Sequence, residues 1–82
     1  MAKVVLSYEL AQQYAAGEMN QAVEADNFRA LVKALDARFP GLGAELKVGL
    51  AVAIDGEIFQ EPFLEAIQPD SEVYFLPAIE GG

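Results

Sequence analysis

The feature that most constrains this chain is a single amphipathic stretch between residues 28 and 39. Phe28, Leu31, Val32, Leu35 and Phe39 fall at i, i+3, i+4, i+7 and i+11, the spacing that lines one face of an α-helix. Arg29, Lys33, Asp36 and Arg38 fall mostly off that stripe. Asp26 stands where an N-cap belongs, and Pro40-Gly41 ends the helix, because proline cannot continue the ladder and glycine accepts the turn. The stripe is core packing rather than a cofactor box. One such helix covers only one face of a sheet, so the segments around it decide the fold.

Those segments read mostly as strands. Lys3–Leu10 alternates, with Val4, Leu6, Tyr8 and Leu10 on one face. Residues 11–18 are small and polar and break at Gly17, which predicts a loop with room for one helical turn. Residues 20–25 read as a second, weaker strand pairing back on the first. After the helix, a linking segment over 42–45 leads to a strand over 48–54. Asp55-Gly56 then marks a two-residue hairpin, because a type I′ turn needs positive φ at both positions. Glu57–Gln60 is the return strand, residues 61–67 have room for a short helical turn, and Pro69-Asp70-Ser71 turns into a last strand, Glu72–Leu76. The predicted order is β-β-α-β-β-β. An α+β roll satisfies it: a mixed sheet of four to five strands wrapped round one main helix, the β-grasp or ubiquitin-like fold. Val73 and Phe75 then face the helix, while Tyr74 and Leu76 lie on the open face as a docking patch.

Composition prunes the chemistry. At 82 residues and 54% hydrophobic, the chain is one small domain with enough apolar material for a core. It has no cysteine and no histidine, so disulfides, thiolate nucleophiles and imidazole bases are excluded. Ser7 and Ser71 are the only serines, and threonine is absent. A self-contained active site is hard to assemble from what remains, and no metal site is expected. The pairs Asp55/Glu57 and Glu61/Glu65 lack the ligand density of a calcium loop and read as solvated surface. A net charge of −8 argues against nucleic acid and fits steering onto a basic partner, or simple solubility. With no spanning apolar run and no leader, a cytoplasmic protein without membrane contact is expected.

The closing run Val73-Tyr74-Phe75-Leu76-Pro77-Ala78-Ile79-Glu80-Gly81-Gly82 reads as a strand followed by a prepared tail. Pro77 has no N–H and releases the chain from a ladder. Ile79 is one apolar handle, and Gly81-Gly82 leave the last carboxylate free of side-chain bulk. The expected division is a β-grasp domain over 1–76 and a flexible tail over 77–82.

With fold and tail in place, the chain resembles the sulfur-carrier proteins related to the small subunit of molybdopterin synthase and to the thiamine-pathway carrier. The resemblance spans essentially the whole chain. It rests on Lys3-Val4-Val5-Leu6, Arg38-Phe39-Pro40-Gly41-Leu42, Val52-Ala53-Ile54-Asp55-Gly56-Glu57 and, most specifically, Glu72 to Gly82. Length and the Arg-Phe-Pro helix end favour the molybdopterin-type branch. The chain departs from that branch at Ala11-Gln12-Gln13, Pro69-Asp70-Ser71 and Leu76-Pro77. The resemblance implies that an E1-like adenylyltransferase/sulfurtransferase uses ATP to adenylate the Gly82 carboxylate, and that a sulfur donor converts it to a thiocarboxylate. It also implies that the sulfur passes to a larger synthase subunit or another sulfur-accepting enzyme. The protein itself would be a carrier and not an enzyme, with no bound cofactor. Gly82 would carry the sulfur, Gly81 would give clearance, and Tyr74, Phe75, Leu76, Pro77 and Ile79 would meet partners. Carriers for thiamine or another sulfur-containing metabolite, a ubiquitin-like protein modifier using the same Gly82 adenylate, and a plain binding module are the other readings.

Overall fold

The computed structural model describes residues 1–46, 51–60 and 64–76. The elements are β1 (Ala2–Val5), α1 (Tyr8–Tyr14), β2 (Asn20–Val23), α2 (Phe28–Arg38), α3 (Leu42–Leu46), β3 (Ala51–Ile54), β4 (Glu57–Phe59) and β5 (Glu72–Leu76). The five strands form one mixed sheet in the order β2-β1-β5-β3-β4. β5 runs parallel to β1 and antiparallel to β3, so the last strand lies at the centre. The expected roll, a sheet packed against one main helix, is the fold found.

The core follows the helix stripe. Phe28, Leu31, Val32 and Leu35 are buried on α2, and Phe39 packs at the edge of the cluster. Opposite them lie Val4, Val52, Ile54, Val73 and Phe75 from the sheet, with Leu6 just past the end of β1. The rings of Phe28 and Phe75 stand 5.7 Å apart and tilted, within the range where aromatic pairs attract beyond simple burial. The start of the helix is held from outside as well. Phe28 N–H donates to the Glu65 carbonyl and Ile67 N–H to that of Asp26, with Asn27 bridged to Ala66. Residues 65–67 therefore run beside the helix entry; most of the segment in which a short helical turn was expected lies before them. Residues 61–63 lie outside the described residues, as do 48–50 of the expected longer β3.

Several boundaries differ from the sequence reading. The first strand stops at Val5 rather than reaching Leu10. Ser7 is extended, accepts the Leu10 N–H, and caps α1, so Leu10 and Ala11 are buried from a helix while Tyr8 is exposed. The alternation Leu6, Tyr8, Leu10 is compatible with either element, and an N-capping serine decides it. The cap of α2 is Asn27, whose Oδ1 accepts the Ala30 N–H at 2.8 Å, and not Asp26. The linking segment after α2 is the short helix α3. Its start is fixed by Asp36, whose Oδ1 accepts from the N–H groups of Gly41 (3.2 Å) and Gly43 (2.9 Å). A Cβ at position 43 would stand 2.8 Å from the Asp36 Cβ, so this close approach requires glycine.

The hairpin is as expected: Asp55 and Gly56 have φ of 51° and 86°, and Ile54 pairs with Glu57. Asp55 does more than turn. Its Oδ2 accepts from Ser71 Oγ (2.8 Å) and its Oδ1 from the Glu72 N–H (2.9 Å). Ser71 Oγ in turn accepts the Gln68 N–H, and Ser71 is 1% exposed. This clasp joins the hairpin tip to the start of β5. Ser71→Ala should lower stability by roughly 1–2 kcal/mol, because the part-buried Gln68 N–H and a carboxylate oxygen of Asp55 both lose a partner. The check is a lower urea midpoint at unchanged slope.

Candidate functional site

The site grows from β5. Inward-facing Val73 and Phe75 fix which side of the strand is buried, since successive side chains alternate. Tyr74 must then point to the open face, where it is 41% exposed, and Leu76 follows it half-buried. Register extends the patch sideways. Tyr74 pairs with Val5 on one side and Ala53 on the other, and these pair with Asn20 and Ile58. The row Asn20-Val5-Tyr74-Ala53-Ile58 therefore crosses the whole sheet on one face. Ile58 at its end is 65% exposed. One row further along β5, Leu76 pairs with Ala51; one row back, Glu72 pairs with Lys3, which pairs with Ala22. The open face is thus charged at the start of β5 and apolar toward its end, which leads into Pro77.

The residues singled out from sequence separate into three groups. Tyr74 and Leu76 lie on the open face, as expected. Phe75 is 2% exposed and packs on Phe28, so it holds β5 from beneath instead of presenting surface. Pro77, Ile79, Gly81 and Gly82 lie outside the described residues. Sequence reasoning missed Val5, Ala53 and Ile58. The signal for Ile58 was present, because a two-residue turn at Asp55-Gly56 forces Ile58 opposite Ala53. That Ala53 lies beside Tyr74 depends on strand order, which no local pattern reports.

Other chemistry is already engaged. Ser7 caps α1 and Ser71 serves the clasp. Asp55, weighed as a weak cation ligand with Glu57, has both oxygens occupied by protein donors. Among the described residues no group of acidic side chains is arranged to hold a metal, and no helix is long and apolar enough to cross a membrane.

Comparison with known proteins places this geometry. Three solved structures share the fold. A chain of the Amycolatopsis orientalis BexX/CysO complex superposes with TM-score 0.87 at 17% identity, covering 100% of both chains. Mycobacterium tuberculosis CysO gives 0.86 at 19%, covering 96% of this chain and 100% of that one. The small archaeal modifier protein 1 of Methanosarcina acetivorans gives 0.80 at 20%, covering 99% and 95%. At such identities the likeness is one of fold. No curated protein matches in sequence. The ThiS family model, in contrast, matches residues 8–82, from the first residue of α1 through β5 to Gly82. This chain belongs to the ThiS family of ubiquitin-like sulfur carriers.

Proposed function

We propose that this protein carries sulfur on Gly82. The observation that supports the reading best is the reach of the family match, which runs through Gly81-Gly82 to the last residue. In the proposed cycle an activating enzyme docks on the open sheet face and positions the Gly82 carboxylate against ATP. The carboxylate oxygen attacks the α-phosphorus and pyrophosphate leaves, giving an acyl-adenylate. A carboxylate is a poor electrophile; the mixed anhydride is a good one, because AMP is a stable leaving group. Hydrosulfide from the donor displaces AMP and leaves a thiocarboxylate; the recipient enzyme takes the sulfur, and water supplies the oxygen that restores the carboxylate. This chain supplies no acid or base to any step. Its part is to offer a docking face and an unhindered terminus.

The apolar end of the open face is suited to that docking. Tyr74, Ile58, Val5 and Leu76 form a patch beside the exit of the chain, and such patches bury well against a partner. The recipient we favour is a molybdopterin-assembling synthase subunit, on the strength of the Arg38-Phe39-Pro40-Gly41-Leu42 helix end. The similar protein named as a small archaeal modifier shares only the fold.

Two experiments test this reading. Incubation with the co-encoded activating enzyme, ATP and a sulfide source should shift the intact mass by exchange of one oxygen for sulfur. The shift should vanish on deletion of Gly82 or on addition of one residue after it, with the fold unchanged. A thiocarboxylate on the extended protein, or AMP release with no sulfur gained, would count against the carrier reading. Separately, Ile58→Glu should leave urea stability nearly unchanged and raise the KM for adenylation roughly tenfold, the effect of replacing one apolar contact of the patch by a charge. An unchanged KM would move docking off this face.

A further inference from the structure

The charge on this protein is segregated. Three of its five basic residues, Arg29, Lys33 and Arg38, lie on α2, which holds one acid, Asp36. The rest of the chain carries twelve acids against two lysines. All three cations are exposed. Arg29 and Lys33 stand one turn apart on one flank of the outer helix face, and Arg38 on the other, with Ala30, Ala34 and Ala37 between. Like charges at i,i+4 repel and destabilise a helix. Among the described residues neither Arg29 nor Lys33 has a compensating ion pair, and Arg38 donates only to the Gln21 amide oxygen at 3.2 Å. Asp36 gives its Oδ1 to the loop N–H groups of Gly41 and Gly43. Among the described residues the cations of this helix are thus left without an ion-pair partner, and the one carboxylate beside them, Asp36, is engaged with the following turn.

From this we infer a second docking surface: the exposed face of α2 receives an acidic helical segment of a partner protein. The helix covers one side of the sheet and the apolar patch lies on the other, so both surfaces can be occupied together. Carboxylates suit two guanidinium groups, which bind them bidentately. Alanines between the cationic rows let a partner helix approach closely, since interaxial distance is set by the side chains at the contact. A long polyanion is a poor occupant, because it would overrun three cations onto strongly acidic surface. A short segment escapes that penalty. The shortest extent of the molecule is 18 Å, more than twice the screening length of ~8 Å at physiological ionic strength, so acids on the far face are not felt over α2.

The probe is an amidated alanine-based helical peptide with paired glutamates at i,i+4, titrated into the isotope-labelled full chain and followed by amide shifts. Saturable shifts centred on residues 29–38 are expected, suppressed by high salt and absent with the matching glutamine peptide. Binding should weaken about tenfold or more in an Arg29→Glu/Lys33→Glu variant, with Arg38→Gln as the milder second variant and circular dichroism confirming the fold of each. No saturable shift, shifts centred on the sheet face, or equal affinity in the double variant would overturn the proposal. So would a single-stranded oligonucleotide of equal charge binding these residues more tightly, or concentration-dependent shifts of the same amides with no peptide present, which would assign the face to a second copy.

Discussion

The contact between Phe28 and Phe75 is the constraint on which the rest of the molecule depends. Phe28 opens the helix and Phe75 sits near the end of the central strand, and both are almost wholly excluded from water. Replacing either by a small residue would leave a large void, at a cost typically of about 3–5 kcal/mol. That is much of the stability expected for a small domain. The pair also removes a degeneracy. A strand slipped by one residue would put every side chain on the wrong face, and burying Phe75 against Phe28 leaves Tyr74 no place but the open side.

Two polar devices complete what the aromatic pair begins. The Asp55–Ser71–Glu72 clasp fixes the beginning of β5, while Phe75 fixes its end, so the strand is held at both ends. The Asp36 clamp does the corresponding service at the far end of the helix. In both cases one carboxylate gathers two donors from a turn, which lets short loops hold a definite shape without a hydrophobic core of their own.

What was legible in the sequence was what repeats with a period or follows local turn chemistry. The stripe from Phe28 to Phe39, the Asp55-Gly56 turn and the alternation Val73, Tyr74, Phe75, Leu76 all declare themselves within a few residues, and they suffice to name the fold and find half of the patch. The short helices were not legible in the same way. α1 has seven residues and α3 has five, too few to stand alone in water. They exist because Leu10, Ala11, Leu42 and Leu46 have a core to enter. Asp36 reads as one more polar residue on a solvated face until the following turn folds back on it. Ile58 joins Tyr74 only through strand order, which is decided by contacts between residues far apart in the chain.

The central place of β5 has a consequence for how this protein comes into being. Its two neighbours in the sheet, β1 and β3, do not touch each other as strands; each is bonded to β5. A chain still emerging from the ribosome holds two separate strand pairs, β1 with β2 and β3 with β4, and an amphipathic helix with an incomplete surface to cover. Non-local pairing of this kind is slow to form, and here it cannot begin until β5 has been made. Closure of the sheet thereby waits on β5. A chain cut short before β5 would be left with two strand pairs that nothing joins, exposed to proteolysis before it could compete for a partner.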